Sequence, residues 1–198
     1  MTNRPLHITI AGGGTGGHLF PGIAIAQEFM ERNENNRVTF VSTGRPLERS
    51  VLPAYGFELR TISAEGIKGR GFLRQARALW KLKTGLVQSI FILKKNHPHL
   101  VIGMGSYSAA PVILAAKVLR KPIVLCEQNI LPGITNRLLS RFADQIFISF
   151  PDTQRLNPAK ALYTGNPVRK ELLEACDKIR EDRERFFTIL VLDRKSVV

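Results

Sequence analysis

The residues best suited to do chemistry fall in four short stretches. The first is Ala11-Gly12-Gly13-Gly14-Thr15-Gly16-Gly17-His18. Glycines let a backbone turn sharply and approach a ligand closely. Free N–H groups at a helix start can then receive an anion or a polar sugar edge. His18 stands at that helix start, where a neutral imidazole can take a proton from a sugar hydroxyl; the plainer reading of a lone histidine is capping or packing. The second stretch, Gly103-Met104-Gly105-Ser106-Tyr107-Ser108, repeats the glycine pattern. The third, Glu127-Gln128-Asn129, is followed by Pro132-Gly133. The Asn129 amide both donates and accepts, which suits hydroxyl recognition. The fourth, Gly165-Asn166-Pro167-Val168-Arg169, ends on a guanidinium that fits phosphate or a sugar-nucleotide edge at two points. The plainer reading there is a helix start with proline at its first position and a solvated arginine.

Gly12, Gly14 and Gly17 also satisfy the G-x-G-x-x-G spacing of dinucleotide-binding folds. That reading wants an acidic residue at the end of the second strand to hold a ribose. The sequence offers Ser42-Thr43-Gly44-Arg45 there. NAD is therefore disfavoured, while NADP held through Arg45 stays open. A tight turn with no ligand is the remaining alternative.

The elements that must position these stretches alternate. Short, β-branched runs predict strands at Leu6–Ala11, Arg37–Ser42, Phe57–Ile62, Leu100–Met104, Pro122–Cys126, Gln145–Ser149 and Lys160–Thr164. Amphipathic runs predict helices at Gly17–Arg32, Leu47–Tyr55, Phe72–Lys95, Tyr107–Leu119, Pro132–Arg141 and Pro167–Arg185. The order implies an α/β fold, a Rossmann-like doubly wound parallel sheet with helices on both faces. Ligands bind beyond the carboxyl ends of such strands, and all four stretches follow a predicted strand. Phe186–Leu192 reads as a further strand that opens a new βα unit.

A chain of 198 residues holds one well-buried domain and a stub of a second. The net charge of +13 points to an anionic partner: nucleic acid, anionic lipid or a phosphorylated substrate. No aromatic-rich binding motif supports nucleic acid. No acidic residue occurs from Gly66 to Cys126, where eleven Lys and Arg residues lie. Cys126 and Cys176 are far apart, which fits a reducing compartment without a disulfide framework. The N-terminus does not read as a signal peptide, and no stretch is long and apolar enough to span a bilayer.

Phe72, Leu73, Ala76, Leu79, Trp80 and Leu82 fall mostly on one side of a helix, flanked by Arg74, Arg77, Lys81 and Lys83. Gly85 allows a break, and Leu86, Val87, Ile90, Phe91 and Leu93 then form a second stripe, expected in the core. The first stripe is the better candidate for a surface, because its tryptophan is bracketed by cations. A basic amphipathic helix of this kind can lie in the interface of an anionic bilayer.

Gly-Gly-Thr-Gly-Gly-His followed by Leu19-Phe20-Pro21-Gly22 resembles the first signature of the MurG glycosyltransferase family, without a gap from Ile8 to Ala26. The second glycine stretch resembles the family's second such motif, with Ser106 where glycine is more usual. Cys126-Glu127-Gln128-Asn129 is similar to its His-Glu-Gln-Asn motif, with cysteine in place of the histidine. Gly165 to Arg169 matches the motif at its interdomain connection. The resemblance implies the N-terminal domain of a GT-B glycosyltransferase. It implies inverting transfer of N-acetylglucosamine from UDP-N-acetylglucosamine to undecaprenyl-diphosphate-linked N-acetylmuramoyl-pentapeptide, with no bound metal and no cofactor. Under it His18 is a candidate base. Thr15, Gly16, Gly17, Asn129 and Arg169 would contact UDP-N-acetylglucosamine. Gly14, Gly105, Ser106 and Tyr107 would belong to the loops that hold the acceptor diphosphate. Leu79 and Trp80 would contact an anionic membrane on the cytoplasmic face of the bacterial plasma (inner) membrane, with the protein peripheral there.

The resemblance also implies an order of parts. Residues 1–165 form the acceptor- and membrane-binding domain, 166–186 the interdomain connection helix, 187–192 the first strand of a donor domain, and 193–198 a tail foreign to the family. The 198-residue chain alone is expected to be inactive. Two further classes stay open: the binding subunit of a split glycosyltransferase, and a nicotinamide-dependent oxidoreductase.

Overall fold

The computed structural model describes residues 4–66 and 72–174, with side chains left aside at 72–76. Seven strands form one sheet: β1 (His7–Ala11), β2 (Arg37–Ser42), β3 (Glu58–Thr61), β4 (Leu100–Gly103), β5 (Ile123–Glu127), β6 (Gln145–Ile148) and β7 (Ala161–Tyr163). Their spatial order is β3-β2-β1-β4-β5-β6-β7, and every pair is parallel. Five α-helices connect them: α1 (Gly16–Glu31), α2 (Pro46–Ala54), α3 (Phe72–Asn96), α4 (Ala109–Val118) and α5 (Ile134–Leu139). All seven predicted strands are present, most of them trimmed by a residue or two at their ends.

The core splits into two layers because these strands are apolar on both faces, as a covered parallel sheet requires. Ile8, Ile10, Leu19, Ile23, Phe40 and Leu52 pack on the α1–α2 side. Leu93, Val101, Val112, Ile113, Leu125 and Ile146 pack on the α3–α4 side. The chain winds outward from β1 through β2 to β3, then returns to place β4 on the other side of β1. That reversal leaves a crevice between the ends of β1 and β4. Ala11 pairs with Val41 on one side and Gly103 on the other, so the two glycine stretches leave the sheet side by side.

Two expectations about α3 need correction. Gly85 does not break the helix, which runs unbroken from Phe72 to Asn96. A Cβ at Gly85 would lie 2.1 Å from the Ser63 carbonyl oxygen, so the glycine admits a neighbouring backbone. The second stripe is not wholly core. Leu93 is buried, and Leu86 and Ile90 pack against the core, but Val87 and Phe91 are 53% and 69% exposed. Only one edge of that stripe faces α4.

Helix α4 begins at Ala109, two residues later than expected, because Ser106 takes φ +64° and Tyr107–Ser108 form a turn. The predicted helix at Pro132–Arg141 is the short α5 followed by a 3-10 turn at Ser140–Phe142. Residues 170–174 are helical. The rest of the predicted connection helix, the Phe186–Leu192 strand and the tail lie outside the described residues, as does Cys176.

Candidate functional site

The first glycine stretch turns at Gly12 (φ +118°) and Gly14 (φ +87°) before α1 begins at Gly16. Thr15 is the N-cap residue in extended geometry, and its hydroxyl makes no cap hydrogen bond. The His18 and Leu19 N–H groups both bond to the Thr15 carbonyl, at 3.2 and 3.1 Å, so only Gly16 and Gly17 at the start of α1 keep N–H groups without an intrahelical acceptor. His18 sits in that first turn, its ring against the Gly105 backbone; a Cβ at Gly105 would lie 3.1 Å from His18 Cε1. His18 Nδ1 is 3.2 Å from Gln128 Oε1. In the tautomer that donates this bond from Nδ1, Nε2 keeps its lone pair and can act as a base.

The second glycine stretch is joined to the first by Arg45, from the loop after β2. Its guanidinium donates to the Gly14 carbonyl at 3.2 Å and to the Tyr107 hydroxyl at 2.6 Å. It also lies 5.5 Å from the Tyr107 ring centre. Beneath this clamp Glu48 is fully buried. Its Oε1 is 2.6 Å from Ser42 Oγ, and its Oε2 accepts the Arg45 backbone N–H at 2.7 Å. Gly13 lies over that carboxylate, and a Cβ there would be 2.3 Å from Oε1.

The third stretch is organised by Glu127, the last residue of β5. Its Oε1 accepts from Asn129 N at 2.9 Å and Asn129 Nδ2 at 2.8 Å. Its Oε2 accepts from Gly133 N at 3.3 Å and Asn136 Nδ2 at 3.0 Å. Cys126, one residue earlier, is buried, and burial pushes its thiol up to about 12, with the Glu127 charge adding to the rise. It is a packing residue, not a nucleophile.

A pocket of about 360 Å³ opens between these loops, lined by His18, Gly105, Ser106, Glu127, Asn129 and Asn136 among others. A larger cavity, about 810 Å³, lies among His7, Thr39, Glu58 and Asn96. Those residues stand at the amino ends of the strands, away from every glycine loop, so the smaller pocket is the candidate site.

Arg169 does not reach this pocket. Its guanidinium stacks 4.0 Å over the Phe20 ring and donates to the Tyr55 hydroxyl at 2.9 Å. A Cβ at Gly16 would lie 3.1 Å from the same Phe20 ring, so Arg169 sits beside the start of α1. Leu79 and Trp80 are 53% and 71% exposed on α3 and do not line the pocket. The structure thus brings together His18, Gly105, Ser106 and Asn129, with Gly14 and Tyr107 tied alongside by Arg45. Sequence reasoning missed Glu48 and Asn136 as site residues, named Gln128 within its motif without a role, and considered Arg45 only as a nicotinamide-cofactor contact. Their roles come from contacts across the sheet edge, for which no local spacing is a signal.

These features define a class: a doubly wound Rossmann-like domain whose ligand site lies at the topological switch point between two glycine loops. The model of the glycosyltransferase family 28 N-terminal domain matches residues 8–148, and the chain belongs to that family. The chain is 48% identical over 181 residues to the UDP-N-acetylglucosamine--N-acetylmuramyl-(pentapeptide) pyrophosphoryl-undecaprenol N-acetylglucosamine transferase of Geobacter sulfurreducens, covering 91% of this chain and 50% of that enzyme. Among solved structures, Acinetobacter baumannii MurG aligns with a TM-score of 0.69 at 27% identity, over 84% of this chain and 47% of that one. A UDP-GlcNAc 2-epimerase from Neisseria meningitidis, bound to UDP-GlcNAc, shares the fold with a TM-score of 0.63 at 15% identity, over 89% of this chain and 50% of that one. The chain spans about half the length of the curated relatives it matches. The fold is that of the N-terminal domain of a GT-B glycosyltransferase. The oxidoreductase reading finds no support, and Arg45, which had kept it open, is engaged by Gly14 and Tyr107.

Proposed function

We propose that this chain is the acceptor-binding half of an inverting transferase that moves N-acetylglucosamine from UDP-N-acetylglucosamine to the 4-hydroxyl of the muramoyl sugar on undecaprenyl diphosphate. The observation that carries the reading is the Arg45 clamp, which holds two glycine loops together beside His18 at the switch point. The relatives of the chain act in that reaction by name.

The division of labour follows from charge. A diphosphate needs cationic and N–H donors. Arg45, the Tyr107 hydroxyl and the backbone around Gly14 and Gly105 supply them on one side of the crevice. Tyr107 accepts from Arg45, so its own proton is left to donate. The acceptor hydroxyl would then lie near His18, whose Nε2 takes the proton as the oxygen attacks the anomeric carbon and UDP leaves with the bonding electrons. Thr15, Gly16, Gly17 and Asn129 would meet UDP-N-acetylglucosamine at the open edge. Arg169, held on Phe20 at the start of the interdomain connection of residues 166–186, would join them when the donor domain closes.

The chain alone should bind acceptor without turning it over. Equilibrium binding of a short-prenyl muramoyl-pentapeptide diphosphate is the test. Saturable binding is expected, with Arg45→Ala weakening it about tenfold through loss of a charged hydrogen-bonding group. NADPH should leave Trp80 fluorescence unchanged. Binding of NADPH without binding of the acceptor would sink the reading.

Helix α3 supports a peripheral position on the cytoplasmic face of an anionic membrane. Leu79, Trp80, Val87 and Phe91 are exposed along it, with Arg77 and Lys83 exposed nearby. Among the described residues no helix is long and apolar enough to cross a membrane. Each cation near an anionic surface adds about 1 kcal/mol. Flotation with anionic vesicles should recover the parent chain and lose most of a Leu79→Glu, Trp80→Glu variant; equal recovery of both would refute the contact.

A further inference from the structure

The larger cavity, about 810 Å³, opens at the amino ends of the strands, and the charges around it do not balance. Two acids line it, and both are engaged: Glu58 pairs with Arg60, and Glu31 pairs with Lys170. Two further cations, Arg37 and Lys95, line it with no carboxylate partner among the described residues. Both are exposed. The fold places them close to His7. Arg37 is the register partner of His7 across β1 and β2. Lys95 precedes Asn96, whose carbonyl accepts from His7 Nδ1 at 2.9 Å.

Two uncompensated positive charges at one opening favour an anion of matching charge. A guanidinium meets phosphate oxygens at two points, and a lysine adds a point charge. A phosphate monoester carries about −1.5 to −2 charges at neutral pH. The cavity falls in the range of small-molecule sites, about 300–1,000 Å³, so it has room for an organic group behind the phosphate. Met30, Val38 and Phe57 offer that group apolar surface.

The rim of the same cavity holds the start of the interdomain connection. Gln27, Glu31 and Tyr55 line it, and each takes one of three consecutive residues. The Tyr55 hydroxyl accepts from Arg169 Nη1 at 2.9 Å, Glu31 pairs with Lys170, and Gln27 Nε2 donates to Glu171 Oε1 at 3.0 Å. Lys170 matters to the charge of the opening. While docked it neutralises Glu31; once it leaves, a bare carboxylate stands at the rim and repels an anion. An anion that binds the docked form more tightly must stabilise docking by the same factor.

We propose that the amino-end cavity binds a small phosphate monoester through Arg37 and Lys95, and that this binding and the docking of Arg169, Lys170 and Glu171 on α1 and the end of α2 reinforce each other. The site itself is independent of the proposed transfer reaction. Only its consequence rests on that reading: the ligand holds Arg169 on Phe20 and Tyr55 and so opposes the step in which Arg169 joins the donor sugar nucleotide.

NMR titration of the full chain with glycerol 2-phosphate, above its second ionisation and at constant ionic strength, is the test. Saturable shifts are expected at the His7, Arg37 and Lys95 amides. Arg37→Gln keeps the backbone N–H that bonds to the Leu6 carbonyl, so the strand pairing stays, and it should weaken the phosphate about tenfold. Lys95→Gln should weaken it about threefold, and Lys170→Gln, acting through Glu31, about twofold. Dimethyl phosphate, with a single charge, should bind about fivefold more weakly than the monoester. Arg45→Ala should leave the affinity unchanged. The monoester should also slow amide exchange at Leu172 and Leu173, whose N–H groups bond to the Arg169 carbonyl at 3.1 and 3.4 Å.

Shifts that merely follow ionic strength, or that centre on Gly14 and Gly105, overturn the inference. So does an affinity that Arg37→Gln leaves unchanged. Binding at Arg37 with no change in exchange at Leu172 and Leu173, and none in affinity with Lys170→Gln, overturns the link to the connection. Failure of the lipid-linked acceptor to bind removes the proposed function and leaves each of these outcomes readable.

Discussion

Gly12→Ala should lower the unfolding free energy by about 2–6 kcal/mol and abolish binding of the acceptor analogue. Two costs combine. Gly12 has φ +118°, a conformation that costs a residue with a Cβ about 1–3 kcal/mol. The new methyl would also lie 2.5 Å from the Gly105 carbonyl oxygen and 3.4 Å from Met104 Cβ. Overpacking of this kind costs about 1–3 kcal/mol more. Gly105 O is backbone and cannot swing aside as a side chain would. Relief must come from parting the two loops, which also pulls Gly14 from Arg45 and Gly105 from His18. Gly56→Ala separates the two costs, since Gly56 has φ +73° and a Cβ there would meet nothing within 4 Å. Urea denaturation should show Gly56→Ala losing about 1 kcal/mol and Gly12→Ala at least twice that. Equal losses would mean that the close approach of the loops carries no energy.

Much of this architecture is legible in sequence because local patterns and the global fold agree. Runs such as Ile8–Ala11 and Val101–Gly103 are short, apolar and bounded by glycine, and buried parallel strands demand that composition. Each of the first two motifs sits at a strand end before a helix, so the sheet topology alone brings Gly12 and Gly105 together. Resemblance and geometry therefore agree on the loops.

What sequence does not reveal is which partner a side chain finds across the edge. Glu48 lies between Leu47 and Arg49 in α2 and reads as surface, yet it is fully buried under Gly13. Its position three residues after Arg45, at a helix start, matches the N3 acid of a capping box, and its Oε2 accepts the Arg45 backbone N–H; the arginine side chain, a donor only, does not return the bond. Gly85 fails in the opposite way. Glycine in a helix reads as a break, and here it is a close approach to Ser63. The apolar period of α3 is correct, but period alone does not choose which edge of a wide stripe meets α4 and which meets solvent. Arg169 stands out by motif as a candidate donor contact, while its contacts with Phe20 and Tyr55 are long-range and have no sequence signal.

Glu127 carries the second large effect. One carboxylate receives four donors from three residues, and it ties the turn after β5 to the first turn of α5. Glu127→Ala should cost about 2–4 kcal/mol. An orphaned buried donor costs about 1–3 kcal/mol. Only Asn136 is buried among the donors, while water can reach Asn129 and Gly133, so the losses fall short of a full sum. Glu127→Gln is the sharper variant. Its shape is unchanged, but one oxygen becomes an NH2, and two N–H donors converge on each oxygen of the parent carboxylate. Whichever way the amide turns, one pair of donors meets a donor. The variant should therefore be destabilised rather than neutral, by about 1–3 kcal/mol. Hydrogen exchange locates the damage: the Gly133 or Asn129 amide should lose protection while the Ile10 and Val101 amides of the central strands hold theirs. If Glu127→Gln unfolds at the same urea concentration as the parent chain and keeps both loop amides protected, the carboxylate is not what holds the turn.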